Sequence, residues 1–360
     1  MQRSSLFSIQ QQLDATFSEV AGWALPQHYG DPQSEYQAVR QGVGLSDLSH
    51  RGWVRMTGAD RQRFLHAMVS NDTASLEPGQ GCYTTFLTNK GRMIADFVVY
   101  AETDAYLLEM QPQLVQPFID ALQWFIISED VTLQDERGVW GCLALQGPRA
   151  ADLLSQASGQ EVPELPIYAH VQYRLDGHDV HLIRRSQADE LGYQLLTSQA
   201  ALPAVWQTLW SHRETCGAQA VGLAALEVLR IEAGIPIYGI DMTDETIPIE
   251  ANLSDAISYT KGCYIGQEVI ARIDARGHVN RKLVGFLLDG EVLPPSGAKI
   301  VASQREVGWV TSSTYSPARR QNIALGYVRH EVWDAGTELQ IQTDGTSVRA
   351  VVRALPFCKA

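Results

Sequence analysis

The sequence predicts an α+β fold: a long N-terminal part mixing hairpins with helices, followed by a small antiparallel β domain, either barrel or sandwich. Three observations carry this. At 360 residues the chain exceeds what one hydrophobic core supports, so more than one domain is expected. Hairpin and helix patterns alternate without the regular strand–helix–strand rhythm of a doubly wound sheet. From about Gly277 the texture changes to short β-rich runs broken by Gly, Pro and Ser.

The elements follow in order. In "GADRQRFLHAMVSND" Asp60 reads as the N-cap of a helix that places Phe64, Leu65, Met68 and Val69 on one face. "GCYTTFLTNKGRMIADFVVYAETDAYLLEM" reads as strand, Asn-Lys-Gly turn, long strand, Glu-Thr-Asp turn and strand. An apolar helix is expected around Phe118 to Ile127, and "GPRAADLLSQ" puts Pro148 in a helix's first turn. "HVQYRLDGHDVHLIRRS" is a hairpin turning at Asp176-Gly177. "ALPAVWQTLWSH" and "VGLAALEVLRIEAGIP" are helices, the second stopped by Gly234 and Pro236. "RKLVGFLLDG", "AKIVAS", "EVGWVTSSTYS", "NIALGYVR", "TELQIQT" and "SVRAVVRAL" supply the strands of the last domain.

Composition narrows the function. Apolar residues make up 45% and charged residues 19%, as in folded proteins, and the formal charge is −13. That balance argues against nucleic-acid or anionic-membrane partners, while leaving room for a local basic pocket. No apolar run approaches the roughly 18 residues of a membrane span, and the N-terminus lacks a secretory apolar stretch. Five scattered cysteines without a CxxC argue against a disulfide framework or a protein-owned metal site, and for a reducing cytoplasm. No GxGxxG or P-loop stands where a nucleotide site needs it.

Four places carry chemistry. Asp96 interrupts the apolar strand "MIADFVVY". It is either a carboxylate on a half-exposed strand or a buried acid that orients a ligand nitrogen or takes its proton. Glu190, in "SQADELGYQLL", is either a turn residue or an acceptor for the paired N–H groups of a planar heterocycle. Arg230 follows the apolar Leu223, Leu226 and Leu229, and so either snorkels from a packed face or clamps a ligand. In "KGCYIGQEVIAR" Cys263 precedes what reads as a helix start, with Lys261 two residues away and Gly262 and Gly266 around it. A helix N-terminus and a nearby cation lower a thiol's pKa below the usual value of about 8.5. A reactive thiolate and an inert buried thiol are the two readings of this cysteine. Cys82, Cys142 and Cys216 have apolar or undistinguished settings and are expected to react more slowly.

These residues carry a resemblance. "KGCYIGQEVIAR", with "LRIEAGIPIYGIDMTDETIPIEANLSDAIS" before it and "RGHVNRKLVGF" after it, resembles the signature of the YgfZ family of folate-binding iron–sulfur assembly proteins. The wider chain is similar to the glycine-cleavage T-protein, a tetrahydrofolate-dependent aminomethyltransferase, through "PGQGCYTTFLTNKGRMIADFVVY", "LQGPRA" and the stretch from "GWALPQHYG" to "MVSND". The resemblance implies a T-protein-like three-domain folate-binding fold. Residues 1–276 would form two interleaved α+β domains and residues 277–360 a C-terminal antiparallel β-barrel. It further implies Tyr83 against the pterin, Asp96 as the transferase acid, Glu190 on the pterin edge, and Arg230 and Lys261 among the folate contacts. The segment around Glu190 keeps Gly192 but lacks the glycines and aromatic that surround this position in the T-protein. The leading expectation is a monomeric, tetrahydrofolate-binding accessory protein in iron–sulfur cluster assembly or repair. Its functional thiol would be Cys263 and its partners iron–sulfur client or assembly proteins. The alternative is a one-carbon transferase of the aminomethyltransferase type, with Asp96 as its key acid.

Overall fold

In the computed structural model, which describes residues 1–188, 191–343 and 345–358, the stretch from Gly81 folds as read. Gly81–Leu87, Met93–Ala101 and Tyr106–Met110 are consecutive antiparallel strands of a five-stranded sheet completed by Gly52–Thr57 and Thr132–Asp135. Strand alternation sends Phe97 and Val99 to one face, where they pack with Phe64, Leu65, Phe118 and Leu122 of helices Arg61–Met68 and Val115–Gln123. The Phe97 and Phe118 rings meet edge-on at 4.8 Å. Val98 and Tyr100 point the other way, into a core shared with a second sheet. Asp96 is on this inner face.

The second sheet has six strands in the order His170–Leu175, His178–Arg184, Gly192–Ser198, Trp140–Gln146, Val43–Asp47 and Ala218–Ala220; only the last pair is parallel. Its hairpin turns at Asp176-Gly177, where φ is 47° and 83°, the left-handed pair that a two-residue hairpin demands. Trp53, Val98 and Tyr100 of the first sheet are buried with Cys142, Ala144 and Leu196 of the second.

From Arg281 onward six antiparallel strands close into a barrel, so the barrel and not the sandwich is the outcome. Closure comes from Arg281–Leu288, which pairs with both Gln321–Arg329 and Thr346–Arg353. Helix Leu223–Ala233 joins the barrel to the rest: Ile231 packs among Leu283, Leu325 and Tyr327, and Gly234 ends the helix at φ 71°. Among the described residues no helix is long and apolar enough to cross a membrane.

Three local expectations shift. The helix expected at Phe118 to Ile127 is Val115–Gln123, and Trp124 and Ile127 beyond it are 85% and 89% exposed. Pro148 lies outside helix Ala150–Ser158, whose cap is Arg149. Asp60 holds the N-cap position but makes no cap bond; its carboxylate accepts from the Asp130 amide at 2.9 Å, so docking of a neighbouring loop takes the place of local capping.

Candidate active site

A cavity of about 900 Å³ lies where the first sheet, the loop after the Arg184 strand, the chain following Gly234 and the barrel meet. Tyr83 and Asp96 face it from adjacent strands. The Tyr83 hydroxyl donates to Asp96 Oδ2 at 2.7 Å, whereas Asp96 Oδ1 is sealed and has no hydrogen-bond partner among the described residues. Burial raises the Asp96 carboxyl above the ordinary range, opposed by the Tyr83 hydrogen bond and the positive charges of Arg51 and Arg185. Burial and the neighbouring Asp96 raise Tyr83 as well, so its hydroxyl stays protonated and donates.

Tyr168 stands opposite, its ring centroid 6.5 Å from that of Tyr83. Its φ of 66° is left-handed in a non-glycine residue, and such a conformation costs about 1–3 kcal/mol. Residues held in this way cluster at ligand sites, and this one lines the cavity.

Behind the wall, Glu109 is fully buried and accepts from Arg51 Nε at 2.9 Å, from a terminal Arg185 nitrogen at 2.5 Å and from the Tyr100 hydroxyl at 3.0 Å. Burial opposes ionisation of Glu109, but Arg185, Arg51 and the Tyr100 hydrogen bond together hold it below the ordinary carboxylate range. Arg51 and Arg185 both reach the cavity. Sequence reading passed over all three charged residues. The available signal was Glu109 itself, an acid inside the apolar strand Tyr106–Met110, as anomalous as Asp96.

The description "GCVT N-terminal domain" matches residues 6–261, and "Glycine cleavage T-protein C-terminal barrel domain" matches residues 281–359. The chain belongs to the glycine cleavage T-protein family. The aminomethyltransferase of Saccharopolyspora erythraea is 33% identical over 359 residues, spanning 99% of this chain and 97% of that protein. That of Halothermothrix orenii is 31% identical over 358 residues, spanning 99% and 100%. The crystal structure of glycine cleavage system aminomethyltransferase T from Bartonella henselae superposes with a TM-score of 0.90 at 25% identity, covering 99% of this chain and 98% of that one.

Within this T-protein fold Arg230, Lys261 and Cys263 are not among the residues lining the cavity. Glu190 lies outside the described residues. Arg230 is buried, and its guanidinium is taken up by Asp241 at 2.8 Å, Ser312 Oγ at 2.8 Å, Glu227 at 2.7 Å and the Ile235 carbonyl at 3.2 Å. Asp241 in turn accepts from Thr311 at 2.6 Å, so Arg230 ties its helix to the barrel. Arg230→Met keeps the aliphatic packing and leaves Asp241 its hydroxyl partners. It is expected to lower stability by roughly 1–3 kcal/mol in chemical denaturation. A tenfold loss of folate affinity without loss of stability would return Arg230 to the folate contacts.

Lys261 turns away from Cys263. Its ammonium donates to the carbonyls of His66, Val69 and Asn71 at 2.5, 2.6 and 3.0 Å, which caps the C-terminal end of helix Arg61–Met68. Cys263 is exposed, does not line the cavity, and is separated from helix Gln267–Arg276 by Tyr264, Ile265 and the Gly266 cap. The two glycines of the motif differ. Gly266 has φ 85°, and a Cβ there would lie 2.6 Å from the Thr88 carbonyl oxygen, whereas a Cβ at Gly262 would meet nothing within 4 Å. Gly266→Ala is therefore expected to cost roughly 1–3 kcal/mol. Gly262→Ala should fall within about 0.5 kcal/mol of wild type; equal denaturation midpoints for the two variants would refute this account of the loop.

Proposed function

We propose that the chain is a tetrahydrofolate-dependent one-carbon transferase, passing a methylene unit from an aminomethyl donor to the folate with release of ammonia, with Asp96 as its acid–base group. One observation carries the reading: the Asp96 carboxylate, set in an otherwise apolar strand, lines the cavity with its Oδ2 held by the Tyr83 hydroxyl. A carboxylate fixed in this way is placed to accept a proton from a ligand N–H.

The T-protein family uses tetrahydrofolate, and the residues present suit such a molecule. The cavity of about 900 Å³ falls within the range of small-molecule sites, roughly 300–1,000 Å³. Tyr83, Tyr168 and Tyr238 offer ring faces to a planar heterocycle, and Arg51, Arg185, Lys282 and Arg353 put positive charge on the walls of an otherwise acidic protein. Reduced folate would supply the ring nitrogens that accept the one-carbon unit. Asp96 would orient an N–H group and take its proton, while the Tyr83 hydroxyl fixes the carboxylate. Arg51 and Arg185 favour the ionised, proton-accepting form of Asp96.

The test is turnover of purified protein with tetrahydrofolate and an aminomethyl-lipoyl carrier protein. Formation of methylenetetrahydrofolate with release of ammonia supports transfer. Folate binding without turnover on the aminomethyl donor contradicts it.

A second reading is favoured by Cys263, the one exposed cysteine; Cys142 and Cys216 are buried, and burial pushes the Cys82 thiol up to about 12. Here the chain would bind folate while serving iron–sulfur enzymes through this thiol, as YgfZ-type proteins do. In cells lacking the native protein, Cys263→Ser would then abolish support of those enzymes and Asp96→Asn would not. The opposite pattern favours transfer.

A further inference from the structure

We infer that Arg51 and Arg185 form a carboxylate-binding subsite on the cavity wall beside Asp96, held in place by Glu109. The inference rests on the reading of this cavity as a folate site and adds what else the ligand must present there. Arg51 binds one oxygen of Glu109 through Nε at 2.9 Å and Arg185 binds the other through a terminal nitrogen at 2.5 Å, so a single carboxylate bridges the two guanidiniums. Their side chains are only 10% and 14% exposed. Glu109 offsets one of the two guanidinium charges and Asp96, when ionised, offsets the other, so what is left over on the arginines is N–H donors rather than net charge.

The anchoring is also one-sided. Apart from a bond from Arg185 to the Tyr100 hydroxyl at 3.3 Å, the remaining guanidinium nitrogens have no hydrogen-bond partner among the described residues. None of them is among the fully sealed polar atoms, and both residues line the cavity. Asp96 does not satisfy them, because its own Oδ1 is unpartnered. Two planar forks fixed at one edge and open at the other match a carboxylate, which accepts paired, charge-assisted hydrogen bonds. That carboxylate has two sources: the glutamate tail of the folate, or a free amino acid bound beside it.

Calorimetric titration of wild type, Arg51→Met and Arg185→Met with three probes decides between them. The probes are tetrahydrofolate, 6-methyltetrahydropterin (which has no carboxylate) and N-methylglycine. Each variant leaves Glu109 with one guanidinium and Tyr100, and unchanged thermal midpoints verify the fold; Arg51→Lys, which keeps charge without the fork, should fall between. Loss of tetrahydrofolate affinity by about 10- to 100-fold with pterin binding unchanged assigns the subsite to the folate tail. A similar loss for N-methylglycine alone assigns it to the free amino acid. Unchanged binding of both carboxylate ligands overturns the subsite, as does equal weakening of the carboxylate-free pterin. If wild type binds neither tetrahydrofolate nor the pterin, the proposed function fails instead, and the N-methylglycine arm still decides the subsite.

Discussion

Asp96→Asn should lower one-carbon transfer by about 10²–10⁴-fold, the usual contribution of a positioned acid–base group, without lowering the melting temperature. The two halves of this expectation have one cause. Burial raises the Asp96 carboxyl in the folded chain, so its ionised form is costly there. A raised folded-state pKa means that the folded state binds more protons than the unfolded state between the ordinary carboxylate value, roughly 3.9, and the raised one. The associated stability is fully present below that ordinary value and is lost as pH rises through the folded-state value. At neutral pH the charge is thus a burden that Asn removes. Activity runs the opposite way: turnover should fall as pH drops through the raised value, because the proton-accepting form disappears. An Asn variant that is both active and less stable would make Asp96 a structural residue.

Glu109→Ala should destabilise the fold by about 3–5 kcal/mol, because it leaves two buried guanidiniums facing each other without their shared anion. Glu109 also sets an acid limit. Its folded-state pKa is depressed, so its contribution is present above the unfolded value, roughly 4.3, and is lost as pH falls through the folded value. Chemical denaturation between pH 3 and 8 should show this loss in wild type and not in Glu109→Ala. A change below about 1 kcal/mol at neutral pH would mean that solvent, not Glu109, satisfies the two arginines.

Asp96 and Tyr83 were legible because they sit on neighbouring strands of one meander, where an acid among apolar residues is conspicuous and alternation fixes its face. The arginines that bias Asp96 were not, since Arg51 and Arg185 reach Glu109 across 58 and 76 residues of chain and no local pattern pairs them. Sequence proximity misled at Lys261. Two residues from Cys263, it reads as a cation for the thiol, yet its ammonium crosses to carbonyls 190 to 195 residues earlier. Arg230 reads in sequence as an arginine that snorkels from a packed face or clamps a ligand; its guanidinium is instead buried against Asp241, an acid that no local pattern pairs with it. The barrel was visible as a change of texture, but closure depends on the pairing of Arg281–Leu288 with Thr346–Arg353, the first and last strands of the domain.

The most direct test of the account is calorimetric titration of tetrahydrofolate into wild type and Asp96→Asn at neutral pH. The account predicts one saturable site per chain in wild type. In the variant, an amide that cannot accept at both positions would weaken binding by about 10- to 100-fold. No saturable binding to wild type, or equal affinity in both proteins, would contradict the claim that this cavity holds a reduced folate against Asp96.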